Sequence, residues 1–309
     1  MATKGCGYLH QAPAVRYQFI QEHLGQFSAR AMCRVMEVTH SGFYAWRTSM
    51  PSPRSESNEQ LLCHIKEVHH ASKQTYGSPR IHQELRTQGL RCGRHRIARL
   101  MRAHQIRAKG KRRFVVTTQS DHSQPVHENI LDRQFTASAP NQRWASDITY
   151  LWTNEGWLYL AVVLDLFSRR VVGWSMQERM HTSLVSDALT MALAARRPSS
   201  GLLHHSDRGS QYASGSYQDQ LQQHEITCSM SRKGNCWDNA VVESFFSTLK
   251  WELISDQSVG SRSEMRSSIF EYIEVWYNRK RRHSTLGYVS PAQFEQSYCE
   301  QNDLLAIAA

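Results

Sequence analysis

Three carboxylates stand where a soluble protein does not ordinarily leave one. Asp147 falls between Ser146 and Ile148 in the apolar, β-branched run RWASDITYLW. Aspartate is disfavoured in strands, and in a central strand it needs a partner. Asp207 closes a second such run, GLLHHSD, at a strand end, which is where sites form in helix-flanked sheets. Glu243 interrupts NCWDNAVVESFFSTLKWE, whose apolar residues Val242, Phe246, Leu249 and Leu253 recur at helical spacing. On a helical projection Glu243 lies just beyond the apolar arc, sharing a polar strip with Asn239 and Lys250. A helical ion pair does not explain it, because the residue four positions on is Ser247. Nor does a capping box, because Ala240 stands three positions before.

If the strands of Asp147 and Asp207 are neighbours and the helix from 238 packs beside them, the three carboxylates converge. They would repel unless cations bridge them, and an all-oxygen ligand set suits Mg²⁺ or Mn²⁺. In a basic protein, a pair of such ions beside phosphodiesters implies phosphoryl chemistry. Two metals activate a water or a 3′-hydroxyl and stabilise the leaving oxygen of an in-line displacement. Other readings stay open at this point. Asp207 in SDRGSQ also suits a turn, and Asp165 and Asp238 are further acidic candidates, each with a ready turn or cap role.

The elements that would position these groups follow from periodicity. RWASDITYLW, GWLYLAVVLDLFS and RVVGWSM read as three consecutive strands with tight connections. A helix spans about 181–197, GLLHHSD gives a strand, 213–223 a short helix and EITCSMS another strand. Asp238 or Asn239 can cap the helix that carries Glu243. This order describes a mixed α/β sheet of five strands with helices on its faces.

Upstream, residues 14–50 read as short helices: Tyr17 and Ile20 in one, a run with Met32, Val35 and Met36 capped by Ser28, then SGFYAWR. SMPSPRSESNE, residues 49–59, reads as a linker. YGSPRIHQELRTQGLRCGRHRIARLMRAHQIRA then forms a helix-turn-helix pattern with Ile81, Leu85, Ile97, Leu100 and Met101 facing inward and Ser78 as a cap. The expected organisation is a helical module (1–50), a basic helix-turn-helix domain (57–113), a linker (114–140), a catalytic α/β core with a basic C-terminal helix (141–298) and a tail (299–309).

The formal net charge is +10, which favours an anionic partner. Between Arg80 and Arg113 lie twelve lysines and arginines and one acid, Glu84. Phosphates would neutralise such a density, so Arg80, Arg94, Arg96, Arg99, Arg102, Lys111, Arg112 and Arg113 are candidate DNA contacts. No run approaches the ~18 apolar residues of a membrane span, and the N-terminus has no apolar core for a signal peptide. A cytoplasmic, nucleoid-associated protein without a membrane partner is expected. The seven cysteines are scattered without a CxxC pair, which argues for reduced thiols and against a zinc module.

With these segments in place, the chain resembles the second-frame product of bacterial insertion-sequence transposases of the IS3 family, relatives of retroviral integrases. The likeness rests on YGSPRI, NQRWASDITY, LDLFSRRVVGW, HSDRGSQYAS, SRKGNCWDNAVVESFFSTLK and YNRKRRHSTLGYVSPAQFE, and on 35 residues separating Asp207 from Glu243. The resemblance implies an RNase H-like core in which Asp147, Asp207 and Glu243 are catalytic and hold Mg²⁺ or Mn²⁺, two ions in all. It implies that Lys250 meets the DNA end, that His205, Arg208, Asn235 and Asn239 support the site, and that Arg279, Lys280, Arg281 and Arg282 of the basic C-terminal motif hold phosphates. The implied partners are the element's terminal inverted repeats, target DNA, further copies of the chain on DNA, and an upstream-frame product or a fusion with it. The implied activity is cleavage at an element end followed by attack of the 3′-hydroxyl on another phosphodiester. A nuclease that cuts without joining and a DNA-binding regulator or inactive partner subunit are the rival readings.

Overall fold

A computed structural model describes residues 9–48, 52–109, 125–233, 235–254 and 260–308. Lys111, Arg112 and Arg113 lie outside them. The chain divides into two units, residues 1–64 and 65–309.

In the first unit, α1 (Pro13–Glu22), α2 (Ala29–Val35) and α3 (His40–Thr48) bury Ile20, Met32, Cys33, Met36 and Phe43 in one cluster. The Ser28 hydroxyl accepts the Ala31 N–H at 3.3 Å, the expected cap of α2. Val35, the third apolar residue of that run, is 65% exposed. The 49–59 linker is helical from Pro53, where α4 (Pro53–Ala71) begins. Proline suits a first helical turn because its missing N–H would have had no partner there, and the Ser52 hydroxyl accepts the Ser55 N–H at 3.2 Å.

The second unit opens with the helix-turn-helix. In α5 (Ser78–Thr87) and α6 (Arg94–Ala103), Ile81, Leu85, Ile97, Leu100 and Met101 are buried as the pattern predicts. Ser78 is the first helical residue rather than the cap, a position that falls to Gly77. Gly89, at φ +85°, lets the chain leave α5 with the Leu90 N–H returning to the Leu85 carbonyl.

The sheet contains β1 (Arg143–Thr153), β2 (Gly156–Asp165), β3 (Val171–Gln177), β4 (Leu203–Ser206) and β5 (Thr227–Met230) in the order β3-β2-β1-β4-β5. β1 pairs antiparallel with β2 and parallel with β4; β2–β3 is antiparallel and β4–β5 parallel. On one face, Trp144, Ala161 and Val163 pack under Leu184, Ala188 and Ala192 of α7 (Thr182–Arg196) and under Tyr212 and Tyr217 of α8 (Ser210–Ala213) and α9 (Gly215–Gln223). The period of two then sends Asp147 and its partner Val162 to the opposite face. The polar stretch after 125 is pinned rather than loose. Ser229 Oγ accepts the Ile130 and Leu131 N–H groups, and Leu131 is buried.

α10 (Ala240–Leu249) packs on β1, and its last turn passes into a π turn at Lys250–Ile254. α11 (Arg262–Phe270) starts with a capping box of Ser261 and Glu264 and continues as a π-type helix through Glu271–Tyr277. The basic motif that follows is turn and extended chain, not the helix expected for it, and α12 (Pro291–Ala308) runs through the expected tail.

Gly173 of β3 allows α7 its close approach: a Cβ there would meet the Ala188 carbonyl oxygen at 2.2 Å and the Ala192 nitrogen at 2.8 Å. Backbone cannot give way as a flexible side chain can, so Gly173→Ala should destabilise the unit by about 1–3 kcal/mol. Urea unfolding checks this, and an unchanged midpoint would refute the packing.

Candidate active site

Ala145 of β1 pairs with His205 of β4. Carried two residues further, that parallel register sets Asp207 level with Asp147 on the same side of the sheet. Asp207 follows directly on β4, where its Oδ1 accepts the Gly209 N–H at 2.9 Å. Glu243 enters from above in the first turn of α10. Val242, Phe245, Phe246 and Leu249 dock that helix while Glu243 stays half-buried at the margin.

The Asp147 carboxyl is pushed well above its ordinary range, first by burial and then by the charges of Asp207 and Glu243. The Ile148 N–H, 2.8 Å from Oδ1, and the Lys250 ammonium act in the opposite direction. Burial raises Glu243 as well. Lys250 lies over the Tyr150 ring, 5.0 Å from its centroid, and burial lowers its pKa against the pull of Asp147.

Among the described residues, no three His, Cys, Asp or Glu side chains already enclose a point where an ion would sit. The donor chemistry nonetheless fits a hard dication: three carboxylates, oxygen donors only, and a repulsion that a dication would relieve. Asn239 Oδ1 and Tyr212 Oη are also buried without a hydrogen-bond partner among the described residues, and Tyr212 feels both aspartates. The identity of Tyr212, five residues after Asp207, was the signal for this neighbour.

The remaining motif residues frame the site. Asn239 Nδ2 donates to the Ser146 carbonyl at 3.0 Å, tying the start of α10 to β1 beside Asp147. His205 bridges Ser229 and Ser231, at 2.9 and 3.1 Å, and burial pushes its pKa down to about 4. Arg208 Nε donates to the Ser231 carbonyl. Asn235 caps a 3₁₀ turn (Cys236–Asn239) through the Trp237 N–H and accepts from Arg133. Neither Asp238 nor Asn239 caps α10 with its side chain. Asp238 is instead fully buried, gripped by Arg232 at 2.8 Å, by Arg133 at 3.0 Å and by Asn129, which hold its carboxyl far below the usual range. Asp165 accepts the Asn141 and Phe167 N–H groups and faces Arg196 at 3.5 Å, a turn role.

An "Integrase core domain" family model matches residues 137–236, a second matches 224–291, and an "HTH-like domain" matches 56–114. The transposase InsF for insertion sequence IS3A of Escherichia coli K12 is 48% identical over 283 residues, covering 91% of this chain and 98% of the relative. The chain belongs to the IS3 family of transposases. A 31 kDa protein of insertion element IS600 from Shigella sonnei is likewise 48% identical, over 86% of this chain and 98% of its own. Similar solved structures are a chain of the simian T-cell lymphotropic virus intasome with PP2A regulatory subunit B56 gamma (18% identity, TM-score 0.44, 75% of this chain and 74% of that one) and the HTLV-2 integrase catalytic core with magnesium (16%, TM-score 0.40, 51% and 98%). The transposase carries an integrase core domain and an HTH-like domain, and among its described residues no helix is long and apolar enough to cross a membrane.

Its basic residues separate by burial. Arg94, Arg99, Arg102, Arg279 and Lys280 are exposed, and Arg96 is partly so. Arg281 and Arg282 are not available to phosphates in the way the motif suggests. Arg281 Nε and Nη2 grip the buried Glu252 at 2.7–2.9 Å, and Arg282 pairs with Glu84 while donating to the Thr87 hydroxyl and the Tyr288 carbonyl. These pairs fasten the C-terminal segment to the π turn and to α5. Arg80 is half-buried over the Tyr76 ring.

Three expectations follow for the transposase. Asp147→Asn removes a half-buried charge whose penalty is present above its raised pKa and fades as pH falls through it. At neutral pH with chelator, the variant should therefore melt higher than wild type, while added Mg²⁺ should stabilise wild type alone. A lower melting temperature in chelator would contradict the mutual repulsion. Arg281→Met should cost about 3–5 kcal/mol by stranding Glu252. Arg279→Ala should leave the melting temperature unchanged and lower the salt slope of DNA binding by about 1.

Proposed function

We propose that the transposase is a polynucleotidyl transferase whose Asp147, Asp207 and Glu243 hold two Mg²⁺ ions against the scissile phosphate at an element end. The reading is supported by one juxtaposition: the β1–β4 register sets Asp207, just after β4, level with Asp147, and α10, which packs on β1, carries Glu243, while burial first and then the charges of Asp207 and Glu243 raise the Asp147 carboxyl. When bound, the ions would lower the cost of forming a nucleophilic oxygen and stabilise the leaving one.

The chain's own residues supply position. Asp147 sits on a central strand and Glu243 on a helix tied to it through Asn239, so the carboxylates keep their spacing while DNA enters. Lys250, on the same side of α10 and within reach of the Asp147 charge, is placed to meet a phosphate of the DNA end. The exposed Arg94, Arg99 and Arg102 of α6 hold the terminal repeat, and Arg279 and Lys280 extend the basic surface. Two DNA ends require two active sites, so the working form is a homo-oligomer on DNA, joined by the upstream-frame product or fused to it, acting in the cytoplasm at the nucleoid.

The test is incubation of the protein, alone and with the upstream-frame product, with labelled element ends and Mg²⁺. Joined products are expected. Asp207→Asn and Glu243→Gln should each lower joining by more than about a thousand-fold while DNA binding is retained. Cut DNA that is never joined, or shifted DNA that is never cut, would overturn the assignment.

A further inference from the structure

The face of α10 that carries Ser244 and Thr248 borders a second polar site. Ser244 and Thr248 form part of one wall of a cavity of about 540 Å³ that opens to solvent. Across it stand Arg80 of α5, Arg169 from the β2–β3 turn, Arg281 and His283. The volume falls within the ~300–1,000 Å³ usual for ligand sites. Among the described residues no carboxylate lines it.

Its cations are under-compensated. Arg169 is held at φ +61°, in the left-handed region that a non-glycine residue enters at a cost, and its Nη1 is buried without a hydrogen-bond partner among the described residues. Asp165, the acid nearest in effect, is already occupied by two backbone N–H groups and Arg196. Arg80 meets the face of Tyr76 at 5.6 Å, and burial together with the charge of Arg281 lowers its pKa. Arg281 spends two of its nitrogens on Glu252 and turns Nη1 to His283 Nε2 at 3.3 Å. His283 therefore accepts through Nε2 and keeps its proton on Nδ1, and burial first, then the charges of the three arginines, hold it neutral. Gathering guanidiniums with unspent donors around one opening is unfavourable in water-poor surroundings unless an anion with several oxygens completes them.

A phosphate matches the fork of arginine. The position of the cavity selects a phosphate of the DNA backbone over a free one. Ser244 follows Glu243 in α10, about 100° further round the helix, so an anion bound here lies on the face next to the one that carries the glutamate. The walls also come from α5 of the helix-turn-helix and from α10 of the core, which makes the cavity the crossing point between recognition and chemistry.

We propose that Arg80 and Arg169, backed by the Glu252-bound Arg281, form a phosphodiester clamp that grips one backbone phosphate of the element end and directs the strand from the helix-turn-helix to Glu243. The proposal rests on the strand-transfer reading for its substrate but not for its test. Binding is measured with chelator in the full chain carrying Asp207→Asn, so failure of the metal chemistry does not affect it.

The probes are element-end duplexes in which each phosphate in turn is replaced by an uncharged methylphosphonate. In this background one replacement close to the scissile bond should weaken binding roughly ten-fold. Arg169→Gln should weaken binding to the unmodified duplex by a similar factor, lower its salt slope by about 1, and abolish the penalty at that one phosphate while leaving the other positions unchanged. Arg80→Gln, which breaks no ion pair, repeats the comparison if Arg169→Gln does not fold. An interference pattern identical in wild-type and variant arginines would overturn the clamp. So would inorganic phosphate alone raising the melting temperature as much as the duplex does, with no position-specific penalty, because the ligand would then be a free anion.

Discussion

The parallel ladder between β1 and β4 is the constraint on which the rest of the structure depends. Two aspartates sixty residues apart become neighbours only because Ala145 lies opposite His205, and a slip of one residue would turn either carboxylate to the wrong face. The protein defends that register with hydrogen bonds on both sides of the ladder. His204 takes the Ser146 hydroxyl at 2.8 Å and also meets the Tyr217 hydroxyl, while His205 reaches across to Ser229 and Ser231 on β5. Both rings are neutral through burial, His204 pushed down to about 3. The two histidines next to Asp207 therefore add no charge to a region whose own charges are already difficult to hold.

The third carboxylate needs a different kind of support. Nothing in α10 by itself would hold Glu243 near two aspartates, since the repulsion pushes the helix away. Apolar docking through Val242, Phe246 and Leu249 opposes this from one side. At the helix start, the Asp238 cluster with Arg133 and Arg232 and the Asn239 bond to β1 oppose it by anchoring the preceding turn. At the other end the buried Glu252 collects Arg281, Tyr272 and Trp276. The helix is thus fastened at both ends by pairs outside the carboxylate cluster, while Glu243 in its first turn and Lys250 at its end share the side that faces the site.

Much of this was legible in the sequence where the signal is local. The strand runs around Asp147 and Asp207, the helix-turn-helix core of Ile81, Leu85, Ile97, Leu100 and Met101, and the marginal position of Glu243 all follow from periodicity, which tertiary packing here reinforces. What escaped was the long-range pairing of charge. Asp238 looked like a helix cap because caps are local, whereas its partner Arg133 lies 105 positions away and Asn129 lies 109 away. Arg281 and Arg282 looked like phosphate ligands because a run of cations reads as a surface, whereas Glu252 and Glu84 draw them inside. The 125–140 stretch looked like a linker because nothing periodic marks it, yet one serine hydroxyl on β5 holds its backbone.

The π turn after α10 has a consequence for how the two halves of that helix can change. A wider turn takes up one more residue than an α-turn needs, so it works as a phase converter between two registers. Residues before Lys250 keep time with the sheet, and those after it keep time with the C-terminal segment through Glu252. Side-chain identity on either half can drift independently so long as the count of residues through Lys250–Ile254 is kept. A single deletion there, conservative by length, would restore an ordinary helix and rotate Glu252 off Arg281, severing the anchor while leaving every carboxylate of the site in place.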